Sequence, residues 1–276
     1  NISRRMNLTF LIPVKLESED RVRNLKTILT YLLTKFDAKV LVQEQDTTNR
    51  FTKLIMPYLT KRFGIISHRF QYFFDKQNTN YFHKTKILND LLLKSDTEIV
   101  CNYDVDALFP ETTYTNAYQA IKDNQCDVVY PYGCGIYQKA VTYKQETFDK
   151  FLNSDLDVQS LDKYATISNS TIGWCQFVRR ENYIKSFMMN ENFHAWGPED
   201  CEFYYRLSFL GNRIGRVNDY VYHLDHSRTN DSWFSNPLWR GNVELWNWLQ
   251  TQSKENFLNY YRNQDYVKRR MNNVSI

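Results

Sequence analysis

The sequence predicts an α/β fold: a mixed, mostly parallel sheet flanked by helices, followed by a helical C-terminal tail. Three observations lead there. Short apolar runs rich in β-branched residues recur at 9–14, 39–43, 99–101 and 127–132, the mark of strands buried on both faces. Segments with apolar residues at helical spacing lie between them, and strands alternating with helices make a parallel sheet. Charged side chains stand at or just after the predicted strand ends: Lys15, Glu44, and Asp104 with Asp106. Such sheets bind ligands at the carboxyl ends of their strands, so these residues mark a candidate site.

Residues 9–14, Thr-Phe-Leu-Ile-Pro-Val, form the first predicted strand. Glu17, Ser18 and Asp20 suit a helix start, where acidic groups meet the positive end of the helix. Val22, Leu25, Leu29, Leu32, Leu33 and Phe36 then follow at helical spacing. Residues 39–43 read as a second strand that runs into Glu44-Gln45-Asp46. Residues 49–62 read as partly helical with an interruption at Pro57, 64–70 as a strand, and 82–94 as a helix with Phe82, Ile87, Leu88, Leu91 and Leu92 inward.

The stretch 98–110, Glu-Ile-Val-Cys-Asn-Tyr-Asp-Val-Asp-Ala-Leu-Phe-Pro, reads as a buried strand ending in two carboxylates. Side chains two apart on a strand share a side, so Asp104 and Asp106 are expected to face one site. Two carboxylates held together repel unless a cation lies between them. A divalent ion with oxygen ligands is the natural partner. A helix over 111–122 and a strand over 127–132 follow.

Past residue 133 the alternation weakens. Residues 137–147 read as a hairpin or loop, 152–161 as a mobile acidic surface segment, and 169–178 as a strand leading to a turn. Phe193-His-Ala-Trp-Gly-Pro-Glu-Asp200 is a turn dense in functional side chains, before a helix over 201–211 with Phe203, Tyr204, Leu207 and Leu210 at helical spacing. Pro198 suits the first helical turn, with Glu199 and Asp200 beside it. A strand over 217–222 precedes His223-Leu-Asp-His226-Ser-Arg228. Residues 236–263 read as helical, with Leu238, Val243, Trp246, Leu249, Phe257 and Tyr260 on one side. That side suits core packing; the alternative is a face in peripheral contact with a membrane, helped by Lys268-Arg-Arg270.

Composition narrows the function classes. Lys plus Arg total 35 against 31 Asp plus Glu, a net charge of +4, too weak to argue for nucleic acid. Neither G-x-G-x-x-G after a strand nor G-x-x-x-x-G-K-[ST] occurs, and Gly133-Cys-Gly135 reads as a turn. A bound nucleotide would therefore have its phosphates held by metal and side chains. The five cysteines form no C-x-x-C, and Cys101 lies in an apolar strand; this suits reduced core thiols and a reducing, cytoplasmic location. No apolar stretch reaches the ~20 residues of a membrane span, and no signal peptide is visible. Sequons at Asn7, Asn169 and Asn230 carry little weight in an Asn-rich chain. The start at Asn1 without Met suits a trimmed chain or a piece of a longer protein.

The motifs occur in the order seen in GT-A glycosyltransferases, and they resemble most the β-1,4-galactosyltransferase family and bacterial chondroitin-polymerase-type domains. Ile12-Pro-Val-Lys15 resembles the first-strand motif that opens the nucleotide pocket, bringing in Pro13 and Lys15. Phe82-His-Lys-Thr-Lys-Ile-Leu-Asn89 is similar to the family's Phe-Asn-Arg-Ala-Lys-Leu-Leu-Asn, with Lys84 where the family has a donor-contacting Arg. Tyr103-Asp-Val-Asp106 matches the metal motif. Trp196-Gly-Pro-Glu-Asp200 with Tyr205-Arg-Leu207 resembles Trp-Gly-Gly-Glu-Asp with Asn-Arg-Leu, and His223 to Arg228 lies where the family has Met-Ile-Arg-His-Ser-Arg. The resemblance runs from about residue 8 to 230. It departs from the family at His194 and Ala195, which replace a Trp-Gly; at Pro198, which replaces a Gly; and at Gly173-Trp174, where a Gly-Gly loop is expected.

The resemblance implies a GT-A domain over 1–235, with a nucleotide-sugar half at 8–132 and an acceptor and metal half at 133–235, then a helical extension over 236–276. It implies a UDP-sugar donor, a glycan or lipid-linked saccharide acceptor, and inverting transfer. Asp106 would bind the metal, with His226 and His223 as further ligands where the family has a His and a Met. A carboxylate with two imidazoles suits Mn²⁺ better than Mg²⁺. Asp104 would hold the ribose or a metal-bound water, and Glu44 and Lys15 would flank the nucleotide. Asp200 would act as the base, Glu199 would bind sugar hydroxyls, and Trp196 would stack on a sugar face. The alternatives are a retaining transferase of the same fold, and a catalytically silent carbohydrate-binding or scaffold domain. A sugar-nucleotide synthesising enzyme would carry a Gly-rich N-terminal phosphate loop, and there is none.

Overall fold

A computed structural model describes residues 4–65, 68–78, 81–168, 173–229, 232, 235–272 and 274; Asn169 and Asn230 lie outside them. The chain opens with strand β1 (Leu8–Val14), every residue of which is buried. Helix α1 (Glu19–Lys35) follows, its N-cap Ser18 accepting a hydrogen bond from the Arg21 backbone N–H, as the Ser and the two acids after it lead one to expect. Strand β2 (Lys39–Asp46) runs three residues past its expected end. Two short helices, α2 (Phe51–Leu54) and α3 (Met56–Phe63), meet near Pro57, which sits in the first turn of α3 where its missing N–H costs nothing.

The strand expected at 64–70 is a correction. Gly64, at φ +69°, ends α3, and strand β3 is Phe70–Lys76. It is the sheet edge, only half-buried, so it lacks the apolar run that marks β1 and β2. Helix α4 (Lys84–Lys94) begins two residues later than expected, leaving Phe82 ahead of it. Strand β4 (Ile99–Tyr103) is wholly buried, and the two-residue strand β5 (Ala107–Leu108) precedes helix α5 (Glu111–Lys122). Strand β6 is Val128–Tyr130.

The second half is more regular than expected. The 137–147 stretch holds strand β7 (Gln138–Val141) and the start of helix α6 (Gln145–Asn153). The supposed mobile segment 152–161 is packed: Leu156, Val158 and Leu161 are each at most 4% exposed. Its apolar residues outweigh its acids, and a 3₁₀ turn over Val158–Tyr164 presents them inward. Strands β8 (Ala165–Ile167) and β9 (Cys175–Arg179) come next, then helix α7 (Arg180–Lys185) and helix α8 (Glu199–Phe209), with Pro198 at its N-cap. On α8, Tyr204 is 40% exposed rather than inward. The strand expected at 217–222 is two strands, β10 (Ile214–Arg216) and β11 (Val221–Leu224), so His223 lies within a strand and not after one. The tail is three helices, α9 (Trp239–Gln250), α10 (Lys254–Arg262) and α11 (Asp265–Met271), broken where Ser253 caps α10.

The main sheet has the order β10-β6-β9-β4-β1-β2-β3. All neighbouring strands are parallel except β9, which runs antiparallel to both β4 and β6. Strands from both halves of the chain share this sheet. The chain moves outward from β1 to β2 and β3, then returns to β4 on the other side of β1. Strand order therefore reverses between β1 and β4, the place where sheets of this kind bind ligands beyond the carboxyl ends of their strands. A second sheet, β5-β11-β7-β8, lies in the chain around the β4 exit: β5 pairs antiparallel with β11, setting His223 opposite Ala107. Among the described residues no helix is long and apolar enough to cross a membrane. Arg269 and Arg270 of the basic run pair with Glu191, and Arg270 also with Asp90, so these charges tie α11 to the body.

Candidate active site

Asp104, Val105 and Asp106 lie in the turn between β4 and β5. This corrects the expectation of a strand ending in both acids, and strand alternation does not set their directions. The turn itself does: the Asp106 N–H donates to Asp104 Oδ1 at 3.0 Å, and the Asp104 N–H donates to the Trp174 carbonyl at 2.9 Å. The Asp106 carbonyl accepts from the Leu224 N–H at 2.7 Å. That bond continues the β5–β11 pairing and brings the two histidines to the carboxylate. The ligand atoms of Asp106, His223 and His226 all lie within 4.8 Å of one another, and His226 Nε2 is 3.3 Å from Asp106 Oδ2. His223 is stacked on Trp174, with ring centres 5.5 Å apart.

A carboxylate and two imidazoles are a fitting donor set for a divalent ion of the Mn²⁺ or Zn²⁺ kind. Burial lowers the His223 pKa despite Asp106 and Asp104, which keeps the ring neutral, the form that ligates. Burial raises the Asp106 pKa and neighbouring Asp104 adds to this, against Arg21 and His226. For Asp104, burial is outweighed by Lys84, His223 and Arg21, and the pKa falls.

A second group of charges meets at the N-termini of α4 and α8. Lys84 Nζ is 3.5 Å from Asp200 Oδ1 and 3.9 Å from Glu199 Oε1. Burial would lower the Lys84 pKa, but Asp200, Glu199 and Asp104 raise it, so Lys84 links this group to the β4–β5 turn. Burial pushes Glu199 up to about 8, helped by Asp200, so Glu199 holds a proton at neutral pH. Its Oε2 is buried and has no hydrogen-bond partner among the described residues. Burial and Asp104 raise Asp200 as well, against Lys84. The result is a neutral Glu199 beside a carboxylate made more basic than usual. Gly173 leaves room for the Asp200 carboxylate in this orientation: a Cβ on it would lie 2.2 Å from Asp200 Oδ2.

A family model described as the N-terminal domain of galactosyltransferase matches residues 160–227, which include Trp174, Glu199, Asp200, His223 and His226. Among solved structures, that of GalNAc-T7 with UDP, GalNAc and Mn²⁺ is 11% identical with a TM-score of 0.54, covering 80% of this chain and 43% of that one. S. aureus TarS 1–349 in complex with UDP-GlcNAc is 18% identical with a TM-score of 0.51, covering 82% of this chain and 60% of that one. The chain has the GT-A glycosyltransferase fold. It resembles galactosyltransferases most clearly over the segment that carries the α8 acids and the histidines. It spans less than two thirds of the length of these structural neighbours. No curated protein matches the sequence.

The remaining expected residues of this GT-A chain are distributed less evenly. Pro13 is buried in β1 opposite Gln43. Lys15 follows β1 and reaches Glu17 at 3.8 Å. Glu44 is fully buried, and its carboxylate accepts from the Arg50 and Phe51 N–H groups and from the Tyr72 hydroxyl, the last at 2.6 Å. These bonds hold the start of α2 against β3, so its partners are structural ones. Trp196 is 38% exposed and stacks on Trp239 of α9, with ring centres 4.8 Å apart. Of the five free cysteines only Cys101 and Cys175 are buried, and Cys134 is exposed, so the expectation of core thiols holds for two of them.

Two site residues escaped the sequence reading. Arg21 bonds Asp106 Oδ2, and Asn24 Nδ2 donates to Asp106 Oδ1 at 2.7 Å. They sit three apart on one face of α1. No sequence signal marked Asn24: the buried face of α1 also carries Thr27 and Thr30, so a polar residue there is not distinctive.

Proposed function

We propose that the chain is a metal-dependent glycosyltransferase that moves a hexose or N-acetylhexosamine from a UDP-sugar to a hydroxyl of a glycan or lipid-linked saccharide, with inversion. The observation that carries this reading is the meeting of Asp106, His223 and His226 at the place where strand order reverses, beside the Lys84–Glu199–Asp200 group. The GT-A fold and the galactosyltransferase-like segment support it. Two neighbours carry UDP or UDP-GlcNAc, and one of them Mn²⁺, which supports a UDP-sugar and that ion here.

A cation bound by Asp106, His223 and His226 would neutralise the charge that develops on the leaving diphosphate. Asp104, with its lowered pKa, stays ionised and accepts hydrogen bonds from ribose hydroxyls or a water. Lys84 adds a fixed positive charge at the junction of the two acid groups, as a donor contact. Asp200 takes the proton of the acceptor hydroxyl; its raised pKa makes it a stronger base than a surface carboxylate. Protonated Glu199 can donate a hydrogen bond to a sugar oxygen, which would satisfy its unpartnered position. The exposed side of Trp196 offers an apolar platform for a sugar ring. Lys15 and Pro13 border the nucleotide at the end of β1, and Glu44 acts indirectly by shaping the adjoining α2 segment.

Thermal denaturation against a panel of UDP-sugars with Mn²⁺ tests the donor. A specific donor at 100-fold its dissociation constant stabilises by about 2.7 kcal/mol; equal shifts for all sugars, or none, contradict the reading. Anomer analysis of the product by NMR separates inversion from retention.

A further inference from the structure

Asp106 Oδ2 is approached from two directions. His226 Nε2 lies 3.3 Å away, and the Arg21 guanidinium bonds the same oxygen. Oδ1 is already held by Asn24. An ion bound by Asp106 together with His223 and His226 needs Oδ2, because that is the oxygen facing His226. A divalent ion and a guanidinium on one carboxylate oxygen would set like charges in near contact, in a place where Asp106 is only 1% exposed and water screens poorly.

We propose that Arg21 is an exchangeable cation: it neutralises Asp106 in the metal-free protein, yields Oδ2 to the metal, and then binds the donor's diphosphate. The proposal rests on the metal-site reading above and assigns it an order, metal first and nucleotide second. Three features favour movement of this side chain. The Arg21 backbone is fixed by Ser18 in the first turn of α1, so exchange requires only rotamer changes. Its side chain is 21% exposed, which leaves a route outward. Asn24, one turn further on, is fully buried and stays on Oδ1, holding the carboxylate in place. Once displaced, the guanidinium would remain beside the Asp106 site, within reach of a diphosphate bound there. Its planar fork matches phosphate oxygens in a bidentate manner.

The exchange makes predictions of opposite sign for one variant. In nucleotide-free protein at pH 8, Arg21→Gln should bind Mn²⁺ about tenfold more tightly than wild type by electron paramagnetic resonance, since the competing cation is gone. In saturating Mn²⁺ the same variant should bind UDP about tenfold more weakly. Arg21→Lys should keep the competition with Mn²⁺ and recover only part of the UDP affinity. Mn²⁺ affinity for Arg21→Gln that is unchanged or weaker, while His226→Ala loses Mn²⁺, overturns the exchange and leaves the metal site standing. Unchanged Mn²⁺ affinity in His226→Ala overturns the metal site itself. A measurement on the wild-type protein does not depend on how Arg21→Gln folds. The arginine Nε–H NMR signal that is lost in Arg21→Lys should shift on addition of diamagnetic Mg²⁺ and again on addition of UDP. A signal indifferent to both overturns the proposal.

Discussion

Gly173 and Asp200 show how little room the site leaves. A methyl group at residue 173 would lie 2.2 Å from Asp200 Oδ2, so Gly173→Ala must turn the carboxylate aside. Displacements of that size cost about 10²-fold in rate; kcat should fall by about that factor with donor affinity retained, as measured by steady-state kinetics and UDP titration. Asp200→Asn removes the proposed base and should lower turnover by about 10²- to 10⁴-fold. Loss of UDP-sugar binding with normal turnover at saturation would instead make Asp200 a donor ligand. Glu199 supplies a pH test. Its pKa stands at about 8 in the fold, against an ordinary value of 4.5. A raised carboxylate pKa means that the folded state holds the proton more tightly, so Glu199 costs stability increasingly as pH rises from 4.5 to about 8. Glu199→Gln mimics the protonated acid and should melt above wild type at pH 8, with the gap closing towards pH 4.5. A gap that does not change with pH would contradict the assigned protonation. At this scale the candidate acids and histidines stood out through their place at strand ends and the order of their motifs along the chain, since each short motif is common by itself. Arg21 and Asn24 did not, because a polar pair on an amphipathic helix reads as solvated surface until β5 and β11 are seen to bring Asp106 beneath it.

Helix α8 joins the site to the C-terminal extension. Its N-terminus presents Glu199 and Asp200, and one turn later Glu202 and Arg206 form an ion pair at 2.8 Å that is fully buried. Arg206 also donates to the Ser186 and Met188 carbonyls, and the Tyr261 hydroxyl of α10 donates to Glu202. Removing one partner from such a cluster leaves a buried charge unmatched, at a cost of about 3–5 kcal/mol. Arg206→Met should lose that much in urea unfolding, and adding Glu202→Leu should restore part of it. A loss below about 1 kcal/mol, the range of surface pairs, would contradict the buried-pair account. The Arg of Tyr205-Arg-Leu207 is thus a structural tie between α8 and α10. Elements with strong patterning, β1, α1, β2, α4 and α5, were legible because each carries a buried run or an apolar stripe, to which α1 adds its Ser18 cap. β3 was misplaced because an edge strand need bury only one face, and β7, β10 and β11 because strands of three or four residues are defined by distant partners more than by their own pattern.

At the scale of the molecule, the order β10-β6-β9-β4-β1-β2-β3 sets where chemistry can occur. The order reverses between β1 and β4, the entry to β9 brings Trp174 against Asp104, and the small second sheet returns His223 and His226 to Asp106. The parallel α/β class was readable from alternation alone. The insertion of β9 between β4 and β6 was not, because antiparallel entry into a parallel sheet leaves no periodic mark in the chain. The extension over α9 docks on the site rather than trailing from it. Asn242 of α9 donates to the His194 carbonyl at 2.7 Å and packs against Gly197, so the turn that carries Trp196 is held from both sides. The proposed metal-dependent transfer from a UDP-sugar would unite these features, and one measurement tests it most directly. UDP release should be followed across a panel of radiolabelled UDP-hexoses and UDP-N-acetylhexosamines, in Mn²⁺ or in EDTA, with wild-type protein and with Asp106→Asn. The account predicts release from one sugar class by wild type in Mn²⁺, and only background release in EDTA or from a folded Asp106→Asn variant. Undiminished release in EDTA, or full activity of Asp106→Asn in metal-limited buffer, would contradict it.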